Sequence, residues 1–144
     1  TSNKTLSDGH RFRLSCLDRV KDDVDAYGRG INEIKCKLDG MKDYRFSVTI
    51  ENGKFDNWFT EKILDCFLSG TIPIYHGCDN IGDYFNMDGI ITFDTIDELK
   101  SIISNLNNTA YDIKLDAIKD NFNKALDWWE DNNIFFNKHL KDLI

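Results

Sequence analysis

The 144 residues carry 18 Lys and Arg against 25 Asp and Glu, a formal net charge of −7. With 41% hydrophobic and 30% charged residues, the composition is that of one globular domain able to enclose its own core. No apolar run approaches a bilayer-spanning helix, no signal-peptide stretch opens the chain, and the acidic balance argues against nucleic acid or anionic membrane as a general partner.

Phe12, Cys16 and Val20, spaced i, i+4, i+8, predict a helix from Asp8 to Val20. Val24–Tyr27, ended by Gly28, reads as a short strand, and a helical stretch around Ile34–Met41 leads into a strand over Tyr44–Ile50. Ile63, Cys66 and Phe67 mark one face of a helix that Gly70 closes. Thr71–Tyr75 reads as the next strand. Pro73 removes one ladder donor, so this strand begins late or lies where that N–H is not needed. A short helix over Asn80–Phe85 precedes a strand over Gly89–Phe93. Ile96, Leu99, Ile102, Ile103 and Leu106 form one helical stripe; Leu115, Ile118, Phe122, Ala125 and Trp129 form another. The alternation predicts an α/β fold: a Rossmann-like, mainly parallel sheet with helices on both faces, as one domain over residues 1–144.

The four cysteines, at 16, 36, 66 and 78, show no metal-ligand spacing, and His10, His76 and His139 stand apart. No metal site is expected, and the thiols read as reduced, in a cytoplasmic-type environment. All five arginines (Arg11, Arg13, Arg19, Arg29, Arg45) lie in the first third. Most read as solvated surface residues, yet arginine is the side chain best shaped to fork onto phosphate. Open α/β sheets bind ligands beyond the C-terminal ends of their strands. Three loops qualify: Gly28-Arg29-Gly30, Glu51 to Thr60, and His76 to Asn80. Neither the dinucleotide nor the P-loop glycine pattern is present.

Thr60 is a natural N-cap that places Glu61 and Lys62 in a first helical turn. Glu61 suits the positive end of a helix, whereas Lys62 opposes it. Either solvent screens Lys62, or an anion sits there, held by free N–H groups and the ammonium together. On this reasoning Lys62→Ala leaves ligand-free stability level or slightly higher.

From Tyr44 to Gly77 the chain resembles the donor-binding, C-terminal half of the α1,3/1,4-fucosyltransferases. The matching elements are Tyr44-Arg45-Phe46, Glu51-Asn52, Trp58-Phe59-Thr60-Glu61-Lys62 and Thr71-Ile72-Pro73-Ile74-Tyr75-His76-Gly77. Upstream, Ser2-Asn3, Arg11 and Val24-Asp25-Ala26-Tyr27-Gly28 are similar to further family elements, as is Asn80–Asn86 downstream. Trp58 stands where many members have Tyr, and Gly53 where Ser or Thr is usual.

The resemblance implies the C-terminal half of a GT-B glycosyltransferase that transfers fucose with inversion from GDP-fucose, with no metal or other cofactor required. It implies Arg11 and Lys62 on the diphosphate, and Asn52, Trp58 and Glu61 lining the nucleotide and sugar positions. The acceptor, a glycan or another hydroxyl compound, and the general base belong to an N-terminal domain absent from this sequence. Family members are often membrane-associated. Two other readings stand beside this one. Asp23-Val24-Asp25 would be the metal clamp of a GT-A enzyme, and a catalytically incomplete nucleotide- or carbohydrate-binding module would keep the fold alone. Trp128-Trp129, Phe135-Phe136, Leu140 and Leu143 crowd the last helical region, as core by default, or as a surface for self-association.

Overall fold

Three parallel strands form the sheet in the order β1 (Phe46–Ile50), β2 (Ile72–His76), β3 (Ile91–Thr92). The computed structural model describes Thr5, residues 7–28 and residues 30–139. Ser2, Asn3, Arg29, Leu140 and Leu143, all singled out in the sequence, lie outside the described residues. Phe46 pairs with Ile72 and Ile50 with His76, while Ile74 pairs with Ile91. The first four residues of β2 are all buried, as a central strand covered on both faces requires. Pro73 is tolerated there for a geometric reason. Ile72 donates to Arg45 on the β1 side, so Pro73 faces β3, and β3 begins opposite Ile74, one residue later.

Helix α1 (Asp8–Val20) packs with α3 (Ile96–Asn105) on one face, around Cys16, Val20, Ile50, Ile74, Phe93 and Leu99. Helix α2 (Glu61–Leu68) packs with α5 (Leu115–His139) on the other, around Ile63, Phe67, Tyr75, Phe85, Ile90 and Ala125. The neighbours Ile74 and Tyr75 fall into opposite cores, the alternation a strand dictates. α2 ends as its sequence requires, with Gly70 at φ +70° just past the C-cap Ser69. No described helix is long and apolar enough to cross a membrane.

Several expectations need correction. Val24–Tyr27 is not a strand: no described strand pairs with β1 except β2, and residues 23–27 run as irregular chain. The stretch around Ile34–Met41 keeps one 3₁₀ turn, Lys37–Gly40, and the predicted 80–85 helix shrinks to Ile81–Asp83. A five-residue helix that the sequence reading omitted, α4 (Asn108–Asp112), starts on the side-chain cap of Asn107. On α5, Ala117, Ile118, Asn121 and Ala125 face the core, whereas Leu115, Phe122, Leu126, Trp128 and Trp129 are exposed. Of the second stripe, Ile118 and Ala125 are therefore core and the other three residues are not.

Candidate functional site

β1 and β2 end side by side, so the loops after them emerge at one edge of the sheet together with the N-terminus of α2. Glu51 is the first residue beyond β1, and its N–H continues the ladder by donating to His76 O at 2.9 Å. Its side chain is fully buried. The carboxylate accepts from the Thr60 N–H at 2.9 Å and from Lys62 Nζ at 2.9 Å, and the Thr60 hydroxyl lies 2.8 and 3.0 Å from its two oxygens. The Lys62 ammonium also donates to Thr60 Oγ1, at 3.0 Å. Thr60 is the N-cap of α2, its hydroxyl accepting from the Lys62 N–H. A buried carboxylate, a capping hydroxyl and a lysine are thus one unit at the start of a helix. Gly77 is part of it: a Cβ there would lie 2.3 Å from Tyr75 Oη and 2.7 Å from Glu51 Cγ.

The rest of the β1–α2 loop is pinned to the loop after β2. Asn57, at φ +59°, donates its N–H to Asn80 Oδ1 at 2.7 Å, and Asn80 Nδ2 returns a bond to Asn57 Oδ1 at 2.8 Å. Tyr84 Oη donates to the same oxygen at 2.7 Å. Lys54 bridges Asp79 at 2.7 Å and Asp94 at 2.6 Å, and its hydrogen bond holds the Asp94 carboxyl below the usual carboxylate range. The two departures from the family pattern turn out to be linked. The Phe55 ring lies where a side chain at Gly53 would begin, and it meets half-buried Trp58 edge-on with centroids 5.9 Å apart.

Between α1, the free edge of β1, residues 23–27 and the start of α2 lies a cavity of about 670 Å³. That volume suits a nucleotide-sized ligand. Glu61 and Lys62 line it, and so does Arg13, whose Nη1 donates to Asn52 Oδ1 at 3.3 Å. α1 approaches this corner closely because residue 9 is glycine; a Cβ there would lie 2.2 Å from the Asn52 carbonyl oxygen. Burial presses the Arg13 guanidinium below its ordinary pKa. Arg11, by contrast, is exposed, donating to Asp8 of its own first turn and to Thr5 O. The structure therefore gathers Glu61, Lys62 and, through Asn52, Arg13 at one site. Arg11, Asn52 and Trp58 do not line the cavity, and Asn52 meets it only through its bond from Arg13. Arg13, two residues from Arg11 on the same helix, and Glu51, which the sequence shows only as part of the Glu51-Asn52 element, are additions from the structure. An acidic residue ending an apolar strand, with a capping Thr in the following loop, is the signal that could have found it.

Asp23 and Asp25, the candidate metal clamp, line the same cavity. Asp23 accepts from Lys100, and Asp25 from Tyr44 Oη at 2.8 Å. Among the described residues no three His, Cys, Asp or Glu come together as a metal-binding group. Lys62 also answers its own puzzle differently from the sequence argument. Its partner is Glu51, so Lys62→Ala would strip a buried carboxylate of its cation, and a loss of stability is expected in place of an unchanged one.

A parallel sheet lies between helix layers, and a nucleotide-sized cavity along the edge of β1 reaches the N-terminus of α2. Residues 3–143 match the family described as glycosyltransferase family 10 (fucosyltransferase) C-term, and the chain belongs to that family. It is 32% identical over 97 residues to the alpha-(1,3)-fucosyltransferase FucT of Helicobacter pylori, a match covering 65% of this chain and 20% of that one. It is 32% identical over 69 residues to an alpha-(1,4)-fucosyltransferase of Arabidopsis thaliana, covering 46% and 17%. Among solved structures, an alpha1,3-fucosyltransferase with GDP-fucose superposes with a TM-score of 0.63 at 23% identity, over 88% of this chain and 44% of that one. A further alpha1,3-fucosyltransferase structure gives 0.64 at 24% identity, over 90% and 43%. These superpositions establish the shared fold. The chain spans about a fifth of the length of the curated relatives it matches.

Proposed function

We propose that this chain is the donor-binding part of an inverting fucosyltransferase and that it holds GDP-fucose in the cavity beside α2. The observation that carries this is Lys62, presented at an α-helix N-terminus on the wall of a nucleotide-sized cavity that Arg13 also lines. Net charge does not make this an anion site, because four cations (Arg13, Lys37, Arg45, Lys62) and four carboxylates (Asp23, Asp25, Glu61, Asp65) line the cavity. Placement makes it one: an ammonium and backbone N–H groups converge at one helix end, with a guanidinium on the same cavity.

Lys62 and an arginine match the two negative charges of a sugar-nucleotide diphosphate. They stabilise the departing GDP as the acceptor hydroxyl attacks the anomeric carbon in line, with charge-assisted hydrogen bonds in the role a divalent cation fills elsewhere. Asn52 orients Arg13, and Glu61 faces the donor from the first turn of α2. Arg11 joins the diphosphate only if it leaves Asp8, so this reading takes Arg13, which lines the cavity, as the arginine on the donor. Trp58, beside Phe55, lies off the cavity and is assigned no contact to the donor. Inversion needs a general base near the acceptor hydroxyl, and no residue of this chain is assigned that role.

Calorimetric titration with GDP, with and without EDTA, and then with UDP, tests the reading. GDP binding that persists in EDTA and exceeds UDP affinity by about tenfold is expected. Equal affinity for UDP, or loss of GDP binding in EDTA, would refute guanine selectivity or metal independence respectively.

A further inference from the structure

We infer that Glu51, sealed from solvent, is the positioning residue that aims Lys62 at the donor diphosphate; this rests on the donor-site reading above. An ammonium has three N–H donors. In Lys62 one goes to Glu51 Oε2 at 2.9 Å and one to Thr60 Oγ1 at 3.0 Å, which leaves one for a ligand, from a side chain still 27% exposed on the cavity wall. A lysine stem is otherwise among the most mobile in proteins, and fixing it only when ligand arrives would cost affinity.

The frame that does the fixing is rigid. The Glu51 backbone is in the ladder with His76, its carboxylate is held by the Thr60 N–H, and Gly77 leaves room for its stem against Tyr75. Thr60 serves both ends of the device, capping α2 with the hydroxyl that also touches Glu51 and Lys62. The same contacts hold the β1 end, the helix start and the ammonium in one relative position before any ligand binds.

Simple electrostatics and this inference disagree in sign, which makes the test decisive. Glu51 is an anion close to a site for an anion. If it only competed for Lys62, Glu51→Gln would tighten GDP binding. If it aims Lys62, Glu51→Gln weakens binding, because the charge is gone and the one remaining oxygen cannot serve both the Thr60 N–H and the ammonium, which use different oxygens of Glu51.

The experiment is a double-mutant cycle read by calorimetric titration of GDP into the 144-residue chain, at a temperature where circular dichroism shows each variant folded. Glu51→Gln should lower affinity about tenfold, and that loss should disappear when Lys62 is already Met. Thr60→Val, which removes the shared hydroxyl and keeps both charges, should lower affinity several-fold with the same dependence on Lys62, and it decides the matter should Glu51→Gln fail to fold. Tighter or unchanged GDP binding in Glu51→Gln, or an equal loss with and without Lys62, would overturn the inference while leaving the donor site standing. No GDP binding by the unsubstituted chain would overturn both.

Discussion

The corner built from residues 51–62 and 71–78 and the segment from Lys21 to Arg45 have similar chemistry and opposite structures. Glu51, Thr71, Ile72, Ile74, Tyr75 and Cys78 of the corner are all nearly inaccessible, as are Ile63, Cys66 and Phe67 further along α2. Across the segment no described residue is buried, and its regular structure is one 3₁₀ turn. Both contain apolar alternation followed by glycine, as in Val24–Gly28 and Ile72–Gly77. The difference is a partner. Ile72–His76 has a ladder on each side, whereas Val24–Tyr27 has none and is held by side chains, with Tyr44 Oη on Asp25 and on Tyr27 Oη at 2.9 Å. A strand pattern becomes a strand only where backbone groups find a ladder.

The largest break in that contrast should come at Gly77. Gly77→Ala drives a methyl group into Tyr75 Oη and Glu51 Cγ, neither of which has anywhere to go. A loss of roughly 3 kcal/mol in urea unfolding is expected. A variant within experimental error of the parent would mean the corner is looser than its packing indicates.

Lysine substitutions test the same contrast through charge. Lys62→Ala leaves Glu51 buried and unpaired and should cost about 2–3 kcal/mol, below the figure for a wholly buried pair because the lysine is partly exposed. Lys37, in the other region, bonds Asp65 at 2.7 Å and lies 3.7 Å from Glu61, yet its side chain is 63% exposed. Lys37→Ala should therefore change stability by less than about 0.5 kcal/mol. Comparable losses from the two substitutions would dissolve the distinction between regions.

These two lysines show how much of the site the sequence made legible. Thr60 as N-cap, Gly70 as the helix stop, the tolerated Pro73 and the bounds of α1 follow from local rules, and the structure obeys them. That Lys62 is an unusual residue for a first helical turn was legible too, from its conflict with the helix dipole. Its partner was not, because Glu51 lies eleven positions upstream on another element and only the β1–α2 connection brings them together. The same limit explains Arg13 and the absent strand at 24–27. Periodicity says which face of a helix is apolar, and not which of two polar neighbours a distant loop will engage.

A smaller effect is expected at the Tyr44 clasp. Its hydrogen bond with Tyr27, then that to Asp25, hold the Tyr44 phenol above its ordinary pKa of 10.0. The folded state thus keeps a proton that the unfolded chain gives up. The clasp's contribution is complete below pH 10.0 and is lost as pH rises past that value. Tyr44→Phe should speed amide hydrogen exchange at residues 23–28 while leaving that of β2 unchanged. Faster exchange in both would show that the segment is not separate from the corner.

The smallest effect is expected from a carboxylate that does Glu51's kind of work in open water. Glu98 accepts the N–H groups of Asp94 at 2.7 Å and Thr95 at 3.1 Å, and Thr95 in return caps Glu98 N–H at 3.2 Å, completing a capping box at the start of α3. The Asp94 N–H, then that of Thr95, hold the Glu98 carboxyl below its ordinary 4.5. Above 4.5 both folded and unfolded chains carry the charge, and the stabilisation is fully present. As pH falls below 4.5 the unfolded chain takes up the proton first, so the stabilisation drains away until the folded group is protonated as well. Glu98→Gln keeps an accepting oxygen and loses the charge, so its melting temperature at neutral pH should sit slightly below the parent's. The two melting curves should converge on acidification. Because Glu98 is exposed, water replaces much of what the substitution removes, and the gap should be far narrower than for Lys62→Ala, which strands the buried carboxylate of Glu51. A gap that stays constant down to the acid limit would show that the Glu98 charge contributes nothing, leaving burial of the carboxylate as the feature that gives the Glu51 corner its strength.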